Sequence, residues 1–175
     1  MRIAHTGVDA MSSVLTRAAA LASAALLATT GATVGATQAT ALPSAPTCRL
    51  VDLDVAVGEP DGSAGSLHYP ILFTNTTGRT CVLRGYPGVS VVDARHRQIG
   101  TSAIRTGESV ETVSVFPSET VTAPLRTNSP GVVSRCRPVS AYVKVYPPNS
   151  YRAEEIPYHL RVCGAFEISP VEPWE

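Results

Sequence analysis

The sequence contains little charge and no concentration of one sign. Lys and Arg number 14, Asp and Glu number 14, charged residues make up 16% of the chain, and the formal net charge is zero. The nearest approach to a basic cluster is Arg95-His96-Arg97, which suits a solvated turn. Proteins that bind nucleic acids gather Lys and Arg on one surface to neutralise phosphates. We therefore expect no nucleic-acid partner.

Motifs of enzyme catalysis are also missing. The closest approach to a G-x-S-x-G nucleophile elbow is Gly62-Ser63-Ala64-Gly65, which falls in a predicted hairpin loop. The pair Glu154-Glu155 would point to opposite faces of a strand, and a solvated loop is predicted there. The histidines His68, His96 and His159 are scattered, and surface strand positions suit them better than a catalytic triad. We expect no enzyme activity and no cofactor.

The cysteines lack the close spacing of a metal site. Structural metal sites favour pairs such as C-x-x-C, whereas the four cysteines of this chain are far apart. They are Cys48, Cys81, Cys136 and Cys163. An even number of cysteines predicts two disulfides where a domain is exported, and sequence alone allows three connectivities.

Turn positions favour one of those connectivities. The midpoint between Cys48 and Cys81 falls inside the turn-forming segment 59–65, and that between Cys136 and Cys163 falls inside Pro147-Pro148-Asn149-Ser150. Strands that fold back at these turns bring each pair of cysteines opposite one another. The prediction is therefore Cys48 with Cys81 and Cys136 with Cys163.

The first 41 residues have the layout of a secretory signal peptide. An apolar run at 18–28 follows a basic residue, and Ala39-Thr40-Ala41 offers a cleavage site before Leu42. Met11 is an alternative start of the chain. A membrane anchor is the less favoured alternative, because Ala, Thr and Gly dominate the later leader and insert poorly. We expect cleavage, secretion to the extracellular space and no stable membrane insertion.

The remainder predicts an all-β domain. Leu67, Tyr69, Ile71 and Phe73 alternate with other residues to give one buried face, and β-branched runs separated by Gly/Pro turns recur to the end of the chain. In Tyr86-Pro87-Gly88, a type II turn would place Gly88 at positive φ. We predict an immunoglobulin-like antiparallel β-sandwich of about seven or eight strands. The expected boundaries are a linker at 42–47, the sandwich at 48–171 and a frayed tail at 172–175.

Several strings resemble a known family. They are FTNTTGRTCVLRGYPGV at 73–89, VVDARHRQIG at 91–100, the V-x-V-x-P segment at 113–117 and LRVCGAFEISPVEP at 160–173. They resemble the secreted actinobacterial family catalogued as domain of unknown function 4232. The resemblance implies an exported, two-disulfide, immunoglobulin-like sandwich and brings no catalytic or binding residues. One departure is the turn after Asp93, which has Ala-Arg-His where glycine is commoner.

Two functions from different classes fit these observations. The first is a non-enzymatic binding module, in which loops at the ends of the sandwich or an exposed edge strand contact an extracellular protein or a cell-envelope component. The second is a secreted protease inhibitor that presents a disulfide-braced loop, for which Thr127–Arg135 is the candidate. The binding module is favoured, and a monomer is expected.

Overall fold

A computed structural model of the chain describes residues 45–107 and 109–174. The predicted signal peptide, 1–41, lies outside these residues. A 3-10 turn, Leu50–Asp52, precedes the strands, and no helix in the described part has the length and apolarity to span a membrane. The strands are β1 Leu53–Val57, β2 Asp61–Ser63, β3 Ser66–Asn75, β4 Cys81–Arg84, β5 Gly88–Val92, β6 Ile104–Arg105, β7 Thr112–Val115, β8 Thr120–Asn128, β9 Tyr142–Tyr146, β10 Glu154–Pro157, β11 Phe166–Ile168 and β12 Glu172–Pro173.

The strands form one large and two small sheets. The 7-stranded sheet has the order β1-β3-β8-β11-β6, with β2 paired to β3 and β12 paired to β8. The smaller sheets are β10-β9-β5 and β4-β7. All three sheets contribute side chains to one buried apolar cluster, so they enclose a common core. The all-β prediction is confirmed.

Alternation along each strand explains this core. In β3, Tyr69, Ile71 and Phe73 are buried, while the residues between them face the outer side of the sheet. The neighbouring β8 behaves likewise and buries Val121, Ala123 and Leu125. Burying such side chains is the main driving force for folding, at about 25 cal/mol per Å² of apolar surface. One pairing departs from the antiparallel prediction, because β6 and β11 run parallel.

Two disulfides brace the sheets. Cys48 bonds to Cys81, and Cys136 bonds to Cys163, which is the pairing that the turn positions favour. The bond between Cys48 and Cys81 holds the segment that precedes β1 against β4. There, the Cys48 N–H donates to the Val82 oxygen (3.0 Å) and the Val82 N–H donates to the Pro46 oxygen (2.9 Å). Pro46, which belongs to the predicted linker at 42–47, is thus hydrogen-bonded to β4.

Two prolines occupy the middle of the large sheet. Pro70 in β3 lies opposite Pro124 in β8, although proline cannot donate a ladder hydrogen bond. The Pro70 oxygen accepts from the Gly58 N–H and the Pro124 oxygen accepts from the Ser169 N–H, so both backbones direct their polar groups away from each other. Gly58 and Ser169 lie just beyond the ends of β1 and β11. The two prolines, which lack an N–H group, therefore lie beside the ends of β1 and β11, where the ladder of hydrogen bonds stops in any case.

Three local predictions were wrong. The tail does not fray throughout, because Glu172 and Pro173 pair with Thr122 and Val121 of β8. Glu154-Glu155 begins a strand instead of a solvated loop, because the segment adds to the edge of β9. The positive φ near Tyr86 belongs to Gly85 (102°), since Gly88 already lies in β5.

Candidate functional site

The stretch Asn75–Cys81 contains a turn that is held by hydrogen bonds of the Asn75 side chain. Asn75 is fully buried, and its amide donates to the oxygens of Arg79 (2.7 Å) and Val115 (2.9 Å). Its side-chain oxygen accepts from the N–H (2.9 Å) and hydroxyl (2.8 Å) of Thr77. These bonds use both donors and the acceptor of the amide, so this asparagine holds the turn in place.

The three histidines lie in different settings. His68 is in β3 on the outer face of the large sheet, and His159 is an exposed residue after β10. His96 lies in the turn after β5 with φ of 59°, the left-handed conformation for which glycine is commoner. Among the described residues, no group of three or more His, Cys, Asp or Glu side chains has the arrangement of a metal site.

His96 belongs to a small charged cluster on the outer face of β9 and β10. Its Nδ1 lies 2.5 Å from Glu155 Oε2, and the Lys144 Nζ lies 3.2 Å from Glu155 Oε1. The His96 ring stacks on Tyr142 with 5.0 Å between ring centroids. The hydrogen bond from His96, followed by that from Lys144, lowers the pKa of Glu155. The cluster ties the turn to the sheet edge.

The segment considered for protease inhibition, Thr127–Arg135, is not an extended loop. Its first two residues complete β8, and Thr127 is buried, with its hydroxyl donating to the Cys163 oxygen (3.0 Å). The Val132 N–H then donates to the Ser129 oxygen (3.1 Å), which closes a tight turn. Pro130 and Val133 form a bridge across that turn. The backbone is therefore folded back on itself.

A cleft with three tyrosines lies at one end of the domain. We call it the tyrosine cleft and define it by Tyr86, Arg105, Tyr146 and Tyr151, which line a cavity of about 350 Å³. They come from four segments: the β4–β5 connection, the end of β6, the end of β9 and the β9–β10 connection. Tyr151 is 100% exposed. Such wide separation in sequence explains why the residue pattern alone did not reveal the cleft.

The framework of the tyrosine cleft is held by hydrogen bonds. The Tyr86 hydroxyl donates to the Gly107 oxygen (3.1 Å), and the Asn149 amide donates to the Arg84 oxygen (3.3 Å). The Ser150 N–H donates to the Pro147 oxygen (3.0 Å), which closes the turn before Tyr151. A loop that is already ordered loses less entropy when it binds a partner.

One cation, Arg105, belongs to the described lining of the tyrosine cleft. The Arg105 guanidinium lies 5.8 Å from the centre of the Tyr86 ring and makes no ion pair with any residue of the described part. Lys144 lies 6.0 Å from the Tyr146 ring, but it is paired with Glu155 and does not line the cleft. None of the described lining residues is acidic. The arrangement offers Arg105 and the hydroxyls of Tyr146 and Tyr151 to an anionic group, since the Tyr86 hydroxyl already donates to Gly107.

Comparison with known proteins identifies a family without assigning a role. The model of a family described as Domain of unknown function (DUF4232) matches residues 48–173. No curated protein and no solved structure matches the chain. The match spans the turn after Asn75, both disulfides and the tyrosine cleft. The chain therefore belongs to the DUF4232 family, a domain of unknown function.

Proposed function

We propose that this chain is a secreted, non-enzymatic binding module that recognises an acidic segment of an extracellular or cell-envelope protein through the tyrosine cleft. The observation that carries the proposal is the position of Arg105 beside three tyrosines in a cavity whose described lining has no carboxylate. The predicted leader and the two disulfides support an extracellular setting.

The side chains of the cleft suit protein recognition. Tyrosine and arginine are enriched at protein interfaces, since they combine a large apolar surface with hydrogen-bond donors. Tyrosine has only two side-chain torsions, so little entropy is lost when it is fixed by a partner. Arg105 can bind a carboxylate through two parallel hydrogen bonds. The acidic segment would thus be oriented by Arg105 and held by the rings.

Protease inhibition has less support from the geometry. An inhibitory loop must lie extended in the active site of the protease, whereas residues 129–132 form a tight turn. Val132 is 59% exposed, but it belongs to this turn and is not part of an extended segment. A binding module remains the better proposal.

The test is capture by the immobilised mature domain from culture supernatant and cell-envelope fractions, with hexaglutamate as the competitor. Arg105→Gln and Tyr151→Ala change exposed side chains, so the fold should be retained. Each should weaken capture by about 5-fold or more, because interface arginines and tyrosines contribute about 1–2 kcal/mol. Arg135→Gln, an exposed arginine outside the cleft, is the matched control.

Competition by hexaglutamate together with loss in both cleft variants would support the proposal. Capture that resists hexaglutamate, or that is equal in the Arg105→Gln and Arg135→Gln variants, would overturn it.

A further inference from the structure

A second concave surface lies on the outer face of the large sheet. We call it the outer groove; it has a volume of about 650 Å³. Its floor includes Pro70 and Pro124, the facing prolines of β3 and β8. One wall contains Glu59 and Asp61, and the other is formed by residues 172–174. The groove is formed by different residues from those of the tyrosine cleft.

The outer groove carries a tryptophan on the wall formed by residues 172–174. Trp174 is the single tryptophan of the sequence, and 51% of its surface is exposed. It follows directly after β12, whose pairing with β8 holds the wall against the sheet. An indole ring is the strongest aromatic partner for a cation, which it attracts through the negative face of its π system.

Three carboxylates surround the same space. Glu59 and Asp61 lie on one wall and Glu172 on the other, and none of them makes an ion pair within the described residues. His68 is the one basic side chain of the described lining. The Glu59 carboxylate also acts on Tyr158. Burial is the larger cause that raises the pKa of the Tyr158 hydroxyl, and the negative charge of Glu59 is the smaller one. The groove is therefore a region of negative charge.

An independent feature of the groove is an unpartnered polar group in its floor. Thr122 is 5% exposed, and its hydroxyl oxygen has no hydrogen-bond partner among the described residues. Alternation places this side chain on the outer face of β8, opposite Glu172 of β12. Leaving a buried polar group unpaired is unfavourable, because the group loses its hydrogen bonds to water without gaining a partner. A donor that enters from the groove would supply the missing partner.

From these features we propose that the outer groove binds an organic cation, an ammonium or guanidinium group carried on an apolar chain. The cation lies over Trp174 and between the carboxylates of Glu59, Asp61 and Glu172, and its apolar chain covers Pro70 and Pro124. Such a ligand carries hydrogen-bond donors and no acceptors, which matches carboxylates and an unpartnered hydroxyl. The site is independent of the tyrosine cleft, because the two favour ligands of opposite charge.

Two sources present this chemistry, a free polyamine and a basic side chain of a peptide. Because Trp174 is the single tryptophan, intrinsic fluorescence reports directly on the groove. The mature protein is titrated with spermidine and, separately, with a hexalysine peptide at low ionic strength. We expect a saturable change in the emission with at least one probe, and a weaker affinity when salt is added. Saturation by spermidine alone assigns a small ligand, and saturation by hexalysine alone assigns a peptide.

Variants separate binding in the groove from general attraction to an acidic surface. Glu59→Gln, Asp61→Asn and Glu172→Gln should each raise the dissociation constant about 2- to 5-fold, because an exposed ion pair contributes up to about 1 kcal/mol. Glu154→Gln removes an exposed carboxylate of β10 outside the groove and serves as the control. Trp174→Ala, measured by calorimetry, should weaken binding about 5-fold through loss of the cation–π contact.

Three results would overturn the proposal. The first is the absence of a saturable response with both probes. The second is an equal effect of Glu154→Gln and the three groove variants. The third is an uncharged oligosaccharide, cellohexaose, that changes Trp174 emission at lower concentration than either cation, which would assign the groove to a sugar. None of these results bears on the acidic partner of the tyrosine cleft, so the two proposals fail separately.

Discussion

The side-chain amide of Asn75 donates a hydrogen bond of 2.9 Å to the backbone oxygen of Val115, a residue 40 positions further along the chain. This bond joins the end of β3, in the large sheet, to β7, in the smallest sheet. The backbone takes part as well, since the Ser118 N–H donates to the Asn75 oxygen (2.9 Å). One buried asparagine thereby links two sheets of the fold.

Replacing Asn75 should destabilise the domain strongly. In Asn75→Ala the oxygens of Arg79 and Val115 lose their donor, and an unpaired buried polar group costs about 1–3 kcal/mol. We expect the free energy of unfolding to fall by about 2–3 kcal/mol in urea denaturation. Ser114→Ala, at an exposed position of β7, should change it by less than about 0.5 kcal/mol. Equal midpoints for the two variants would show that the Asn75 bonds contribute nothing net.

Removing either disulfide should also cost stability. Cys48 with Cys81 and Cys136 with Cys163 close loops of similar length, with separations of 33 and 27 residues. The double variants Cys48→Ala/Cys81→Ala and Cys136→Ala/Cys163→Ala should each lose about 2–5 kcal/mol, as small secreted domains do. Thermal unfolding measures the loss, and non-reducing peptide mapping of the unmodified protein checks the pairing. Peptides joined across the two pairs would contradict the assignment of neighbouring strands.

Stability should decline on the acid side because several carboxylates have lowered pKa values. The hydrogen bond from the Arg49 side chain lowers the pKa of Asp52, and the bond from His96 lowers that of Glu155. A carboxylate with a lower pKa in the folded state contributes stability above its unfolded pKa, and loses it as pH falls through the folded pKa. Urea midpoints should therefore drop as pH falls from about 5 toward 2.

Glu155→Gln isolates one part of this acid dependence. The variant cannot ionise, so its midpoint should change less with pH than that of the unmodified protein over the same acid range. Asp54→Asn, which removes an exposed carboxylate of β1 without an ion pair among the described residues, is the control. If both variants show the same pH profile, the contacts of Glu155 with His96 and Lys144 do not contribute to the acid sensitivity.

Export is tested at the new amino terminus. We expect protein in the culture medium to begin near Leu42, because Ala39-Thr40-Ala41 is a small-residue cleavage site after an apolar run. Amino-terminal sequencing of the secreted protein measures this directly. Full-length chain retained in the membrane fraction would instead support the anchor interpretation of residues 1–41.

The sequence predicted the parts of the fold that depend on local pattern. Tyr69, Ile71 and Phe73 alternate without interruption, and all are buried as the period of two requires. The turn at Pro147–Ser150 folds β9 back toward β10, which brings Cys136 and Cys163 into a cross-strand bridge. In these places the local preference of the residues agrees with the tertiary structure, so the residue pattern was sufficient to predict the strand and the disulfide.

The parts that escaped prediction depend on tertiary contacts. Glu154-Glu155-Ile156-Pro157 has no alternation of apolar residues, and it becomes a strand because β9 offers a free edge and Lys144 faces Glu155. The two-residue strand Ile104–Arg105 is too short to have a period. The tyrosine cleft and the outer groove each gather residues from distant segments, and no spacing along the chain indicates such convergence.

The pairing of β12 with β8 has a practical consequence for work with this protein. Trp174 follows β12 and lines the outer groove, so a tag fused shortly after this strand begins close to the groove wall. A carboxyl-terminal polyhistidine tag could enter the groove through its imidazolium groups or shield the tryptophan from added probes. Purification and surface coupling are therefore better performed through a tag ahead of Leu42 that is removed before measurement.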